Sequence, residues 1–143
     1  MKITTTPQIF TKNAPEALKL YSEIFNAKIV NLHYTDEIPG MAETEGFVKE
    51  VMHSEIHVND KALFYVSEGA SEDKPYRKKT VYGDNITINI NFETREDLVA
   101  VFDKFKDSKD ATVLSPIMDS FWGSFASVKD SFNVVWQLTK TNR

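Results

Sequence analysis

Apolar and polar positions along this chain follow two rhythms, and the same succession of rhythms occurs twice. Ile86, Ile88, Ile90 and Phe92 alternate with Thr87, Asn89 and Asn91, which is the pattern of a strand with one buried face. The spacing then changes to that of a helix: after Thr94-Arg-Glu-Asp97 come Leu98, Val99, Val101, Phe102 and Phe105. An earlier copy reads Asn13-Ala-Pro-Glu16, then Ala17, Leu18, Leu20, Tyr21 and Ile24. Both openings place a side-chain acceptor three residues before an acid, the signature of a capping box. Each stripe gives its helix one face to bury and one to keep wet.

The repetition extends to both sides of the helices. Thr6, Pro7, Gln8 and Ile9 align with Thr87, Ile88, Asn89 and Ile90, and Asn26-Ala-Lys-Ile-Val-Asn31 aligns with Asp110-Ala-Thr-Val-Leu-Ser115. Two alternating segments follow in each copy, Phe47 to Val58 with Ala62 to Ser67, and Phe121 to Val128 with Phe132 to Thr139. Short polar turns, Asn59-Asp60-Lys61 and Lys129-Asp130-Ser131, make each pair a predicted hairpin. Loops are expected at 35–46, which Pro39-Gly40 interrupts, and at 68–84, which holds Pro75. The reading is an α+β fold of two βαβββ modules in a single domain 1–143, with module 1 over 1–68, module 2 over 84–143 and a polar connection at 69–83. One module alone would leave a sheet face bare, so the two are expected to form one domain.

Composition narrows the function classes. A net charge of −4 argues against nucleic acid, which is bound through a basic face. The basic run Arg77-Lys78-Lys79 reads as a solvated loop. No stretch approaches the length of a membrane span, and no secretory pattern opens the chain, so the expected compartment is the cytoplasm and no membrane partner is expected. Without cysteine there are no disulfides, thiolate metal sites or thiol nucleophiles.

Several segments carry a resemblance: Phe10-Thr-Lys-Asn-Ala-Pro-Glu-Ala17 with Tyr21 and Phe25, the strand around Met52-His53-Ser54-Glu55, and Asp130-Ser-Phe-Asn-Val-Val-Trp-Gln-Leu138. Together with the paired modules they resemble the vicinal-oxygen-chelate superfamily of glyoxalase I, extradiol dioxygenases and the bleomycin and fosfomycin resistance proteins. They are most similar to its PhnB-like branch, which often bears a demethylubiquinone methyltransferase label. The resemblance implies a cupped mixed sheet with helices on its outer face and, in metal-using members, an ion on the floor of the cup. The chain departs from the branch at Lys12 and Asn133, where Gly is usual, and at Ala126-Ser127, where a Gly-Trp pair is usual. Asn133 is a mild change, because Asn tolerates left-handed backbone. Methyl transfer has no support in the residues, since Gly40, Gly46, Gly69, Gly83 and Gly123 are too scattered for a Gly-rich cofactor turn.

Carried onto this chain, the metal positions fall at Thr6 or Gln8, Tyr65 or Ser67, Thr87 or Asn89, and Gln137. None is a His, Asp, Glu or Cys, so no metal centre of the family type and no cofactor are expected; a divalent ion needs at least three protein donors of that kind. His53, Glu55 and His57 share one strand face, yet the two histidines stand about 13 Å apart along an extended strand, too far to ligate one ion. His57 is expected as an exposed strand end. Met52, Ile56 and Val58 are expected to face the helix, which turns His53 and Glu55 into the cup beside Gln8, Tyr65, Thr87, Asn89 and Gln137. There His53 is a candidate general base with Glu55 as its carboxylate partner; the alternative is that the two are polar structural residues satisfying each other. Trp122 and Phe125, with Phe121, form an aromatic cluster on the seventh strand suited to ligand contact, core packing or a dimer interface. Trp136 is expected in the core, and His33 and Tyr34 carry no assigned role.

Three functions are compatible with this pattern: a small-molecule-binding protein without metal, an isomerase, lyase or dioxygenase using His53 and Glu55 for proton transfer, and a structural or partner-binding domain with a filled cup. A homodimer is expected, by pairing of modules within or between chains.

Overall fold

Two compact units make up the chain, Met1–Thr80 and Val81–Arg143, and each is an α+β module of strand, helix and three strands. The computed structural model describes residues 1–73 and 77–142; Pro75 lies outside the described residues. In the first unit the elements are β1 (Gln8–Thr11), α1 (Ala14–Ile24), β2 (Lys28–Tyr34), β3 (Val51–Val58) and β4 (Lys61–Glu68), with a short 3-10 turn at Thr35–Glu37. The second unit holds β5 (Ile88–Asn91), α2 (Arg95–Lys106), β6 (Thr112–Ser120), β7 (Gly123–Lys129) and β8 (Val135–Thr141). The strand orders are β1-β4-β3-β2 and β5-β8-β7-β6. In each sheet the first strand runs parallel to the last and the other pairs are antiparallel.

Both helices begin where their caps dictate. The Asn13 carboxamide oxygen accepts from the Glu16 N–H at 3.3 Å, and the Thr94 hydroxyl accepts from the Asp97 N–H at 3.1 Å, each satisfying a donor that the first turn leaves open. A further acceptor comes from a distant part of the first unit: Glu68, buried at the end of β4, takes the Ala14 N–H at 3.1 Å. Burial raises the Glu68 carboxyl above its ordinary value, against the lowering effect of that bond.

One face of each sheet packs on its helix. Ala14, Ala17, Leu18, Tyr21 and Ile24 of α1 are buried together with Ile9, Val51, Ile56, Phe64 and Val66. Tyr21 and Phe25 both meet the Phe64 ring edge-on. In the second unit Leu98, Val101, Phe102 and Phe105 of α2 are buried, as are Ala126, Val128, Trp136 and Leu138. Phe105 and Trp136 lie 5.3 Å apart between ring centroids.

The expected boundaries shift in three places. Strand β3 starts at Val51 rather than Phe47, and Val51 is the buried residue while Met52 is exposed. The register between β2 and β3 slips at His33 and Tyr34, which breaks strict alternation there and turns Val51 inward. Ile86 precedes β5 and is 81% exposed. Phe121 and Trp122 form the turn before β7 instead of its first residues, because β7 begins at Gly123. Asn133 adopts the left-handed backbone its position requires, with φ of 66°.

Candidate functional site

The face of the first sheet that turns away from α1 is polar, and its residues arrive there by register. Gln8 on β1 lies opposite Tyr65 on β4, which lies opposite Glu55 on β3, which lies opposite Val30 on β2. His53 and His57 flank Glu55 on the same face, two residues to either side.

Glu55 is the centre of this face. His53 Nε2 lies 2.8 Å from Glu55 Oε2 and His57 Nε2 lies 2.7 Å from Glu55 Oε1. An ionised carboxylate only accepts, so both Nε2 atoms carry hydrogen and donate, which leaves each Nδ1 with a free lone pair. The hydrogen bond from His53, then that from His57, holds the Glu55 carboxyl down at about 2, against the raising effect of burial; Asn31 contributes a weaker side-chain hydrogen bond. The His53 ring also meets the Tyr65 ring edge-on, with centroids 4.8 Å apart. Beside them, the Gln8 amide nitrogen donates to the Ser67 hydroxyl at 3.1 Å.

His57 is therefore not an exposed strand end, since its side chain is 19% exposed and bonded to Glu55. The roughly 13 Å between residues four apart on a strand applies to backbone; imidazole and carboxylate side chains lean along the strand and meet between. Asn31 was silent in the sequence for a different reason. Its φ of 53° is left-handed, and the pairing slips between Val30 and His33, so Asn31 sits in a bulge that aims its amide at Glu55. An Asn inside a predicted strand is the only sequence sign of such a bulge.

The remaining candidates lie on the second unit. Asn89 pairs with Gln137, and Gln137 with Ser127, so these share the sheet face opposite α2. Phe125 and Asn91 lie on either side of Thr139 in the next row, and the Thr139 hydroxyl contacts the carboxamide oxygens of Asn89 and Asn91, each at 2.9 Å. Thr87 precedes β5, and Trp122 occupies the β6–β7 turn. Within this unit the structure brings together Asn89, Gln137 and Phe125 and leaves Thr87 and Trp122 outside the paired strands.

The acid dependence of stability follows from Glu55. Its folded value lies below the ordinary 4.5, so its contribution is complete above pH 4.5 and is lost as pH falls towards 2. Allowing for screening by water, that contribution is about 1–2 kcal/mol. Urea midpoints measured at pH 7 and pH 3 should therefore fall further in the parent protein than in Glu55→Gln; equal falls would remove Glu55 from the acid response.

Among the described residues, no group of three or more His, Cys, Asp and Glu side chains is placed to hold a metal ion. The positions that the resemblance points to for metal carry amides and hydroxyls, and the Gln8 amide is engaged with Ser67. This donor set does not fit a tightly held divalent ion. Among the described residues no helix is long and apolar enough to cross a membrane.

Residues 2–139 match the model of a family described as 3-demethylubiquinone-9 3-methyltransferase. No curated protein matches the chain. Among solved structures it is similar to protein PA1353 from Pseudomonas aeruginosa, at 19% identity over 98% of both chains with a TM-score of 0.77. It is similar to a PhnB protein from Bacillus cereus that bears the same methyltransferase description, at 24% identity over 99% of this chain and 100% of the other, with a TM-score of 0.66. It is also similar to the fosfomycin resistance protein FosX from Listeria monocytogenes, at 12% identity over 99% and 95% of the two chains, with a TM-score of 0.63. At these identities the structural likenesses show the fold.

Proposed function

The chain belongs to the 3-demethylubiquinone-9 3-methyltransferase family, the PhnB-like branch of the vicinal-oxygen-chelate superfamily, and we propose that it binds a small organic molecule on the polar face of its first sheet, without a metal centre. The observation that carries the reading is the Glu55 carboxylate held between His53 and His57. A carboxylate and two imidazoles kept partly dry on one sheet face are costly unless they are matched to one another, and such a preorganised polar cluster suits a polar ligand. Tyr65 supplies an aromatic wall and Gln8 a neutral amide beside them. Methyl transfer is not part of this reading: the strand-to-helix turns at Lys12-Asn13 and Glu93-Thr94 lack the glycines that let a nucleoside cofactor approach the backbone.

A second reading is favoured by the 2.8 Å contact between His53 and Glu55. It orients the imidazole with Nδ1 as the basic atom and stabilises the imidazolium that forms when it takes a proton, as in an isomerase or lyase. The two readings separate experimentally. Thermal-shift screening of the purified protein against metabolites and drugs should give ligands whose stabilisation is lost in His53→Ala. A blank screen, or shifts that His53→Ala leaves intact, would count against binding at this face. If a hit is turned over, His53→Ala should cost about 10²–10⁴-fold in rate; unchanged turnover would leave binding as the function.

A further inference from the structure

We propose that the edge strand β6 and the turn after it form a self-complementary surface, through which two copies of this chain associate about a two-fold axis at Pro116. Its ground is a concentration of exposed apolar side chains along one edge of the second sheet. Strand β6 ends the order β5-β8-β7-β6 and pairs on one side only, with β7. Leu114 and Met118 are 54% and 58% exposed, Phe121 is 93% exposed, and Val113 and Trp122 are exposed beside them. An apolar patch on the order of several hundred Å² marks an interaction surface. The turn that carries the two rings is fixed. The Asn142 N–H donates to the Trp122 carbonyl at 2.8 Å, and the Asn142 side-chain amide donates to the Phe121 carbonyl at 3.2 Å. Rings held in place in this way lose little conformational freedom when a partner covers them.

Charge and symmetry identify the occupant as a second copy. No charged side chain stands between Asp110 and Asp119. The Asp119 carboxylate is engaged within the unit, by Arg95 at 2.9 and 2.8 Å and by the Ser124 hydroxyl at 2.6 Å. The edge therefore has nothing to attract a strongly charged partner, and no uncompensated charge opposes its own copy. Leu114 and Met118 lie two residues to either side of Pro116. When two β6 edges approach antiparallel about Pro116, Leu114 of each copy faces Met118 of the other. In the same register Phe121 reaches Ala111, just ahead of the opposing strand. One patch then serves both copies, which is the isologous contact of a closed pair.

The backbone of β6 limits the contact to side chains. Pro116 has no N–H to donate, and the pairing of β6 with β7 shifts register on both sides of Ser115, so two such edges cannot form a continuous ladder. Strand addition without end is blocked for the same reason, and association stops at two. Stable interfaces bury about 800 Å² per partner, and the apolar side chains with Thr112, Ser115 and Ser120 between them offer a surface of that order. The proposal concerns the second unit alone and stands whether or not the first sheet binds a ligand.

Sedimentation equilibrium of the full chain tests both the surface and its register. The parent should be a dimer that dissociates on dilution. Leu114→Glu should weaken association by about 100-fold or more, because the symmetry places the new carboxylate against Met118 twice in each dimer. Met118→Lys should do the same. The variant carrying both changes should associate at least about tenfold more tightly than either single variant, since each new carboxylate then faces a new ammonium group across the axis. Within one chain the two new charges stand roughly 13 Å apart along the strand, so the recovery reports the second copy. Phe121→Ser should weaken the dimer without affecting that recovery. Both altered strand positions are more than half exposed, and circular dichroism establishes that each variant is folded before its association is read. A monomeric parent, single variants that dimerise as the parent does, or a double variant no tighter than the single ones overturns the proposal.

Discussion

Replacing Gly123 by Ala should destabilise the protein by about 3–5 kcal/mol, the range of severe backbone conflict. Gly123 opens β7 with φ of 144°, a conformation that side chains rarely adopt. A Cβ built there would lie 1.9 Å from the Lys140 carbonyl oxygen, with the Lys140 carbonyl carbon and Thr141 Cα each at 2.9 Å. All three are backbone atoms of the paired strand β8, so no side chain can swing aside. Relief requires β8 to move, which breaks the pairing of Gly123 with Thr141 and Ser124 with Lys140. For a chain of this size each kcal/mol is worth about 2–4 °C, so the melting temperature should drop by roughly 6–20 °C. Gly40→Ala is the control. Gly40 is also left-handed, but its Cβ would meet nothing within 4 Å, so the cost is limited to the left-handed backbone, about 1–2 kcal/mol. Equal losses in the two variants would mean that the contact with β8 is unimportant.

The same glycine illustrates what the sequence could and could not disclose. Alternation located Ile88, Ile90, Trp136 and Leu138 on the helix side of the second sheet, and all but the first and second of these are fully buried. The helix caps were legible because a cap is a local event: the acceptor and the amide it satisfies lie three residues apart. The start of β7 was not, since nothing near Phe121-Trp122-Gly123 reveals the approach of Lys140. The bulge at Asn31 and the acceptance of the Ala14 N–H by Glu68 were hidden for the same reason, each depending on a partner from another strand or helix. In the candidate site, the shared face of His53, Glu55 and His57 followed from a period of two. That both rings would close on one carboxylate did not, because spacing along a strand fixes Cα positions and leaves the reach of the side chains open. A ligand is more remote still: one fold hosts many functions, so recognising the fold does not name what is bound.

The most specific family signature in the chain, Asp130 to Leu138, has a structural explanation that leads to the second large effect. Asp130 is 3% exposed. Its Oδ1 accepts from the Phe132 N–H at 2.8 Å and the Val134 N–H at 3.1 Å, and its Oδ2 accepts from the Trp136 indole N–H at 2.8 Å. One carboxylate thus shapes the β7–β8 turn and satisfies the buried indole that packs against Phe105. Asp130→Ala would leave the indole donor and two amides without this acceptor, at about 1–3 kcal/mol for each group that stays buried. The expected loss is about 2–4 kcal/mol, since water reaches part of the turn. Trp136→Phe removes the indole donor while keeping a ring against Phe105, so in a double-mutant cycle the pair should lose less than the sum of the single variants. Strict additivity would show that Asp130 acts on the turn alone. Asp130 is therefore a device for folding the β7–β8 hairpin, through which a short stretch of sequence fixes a turn and a buried indole together.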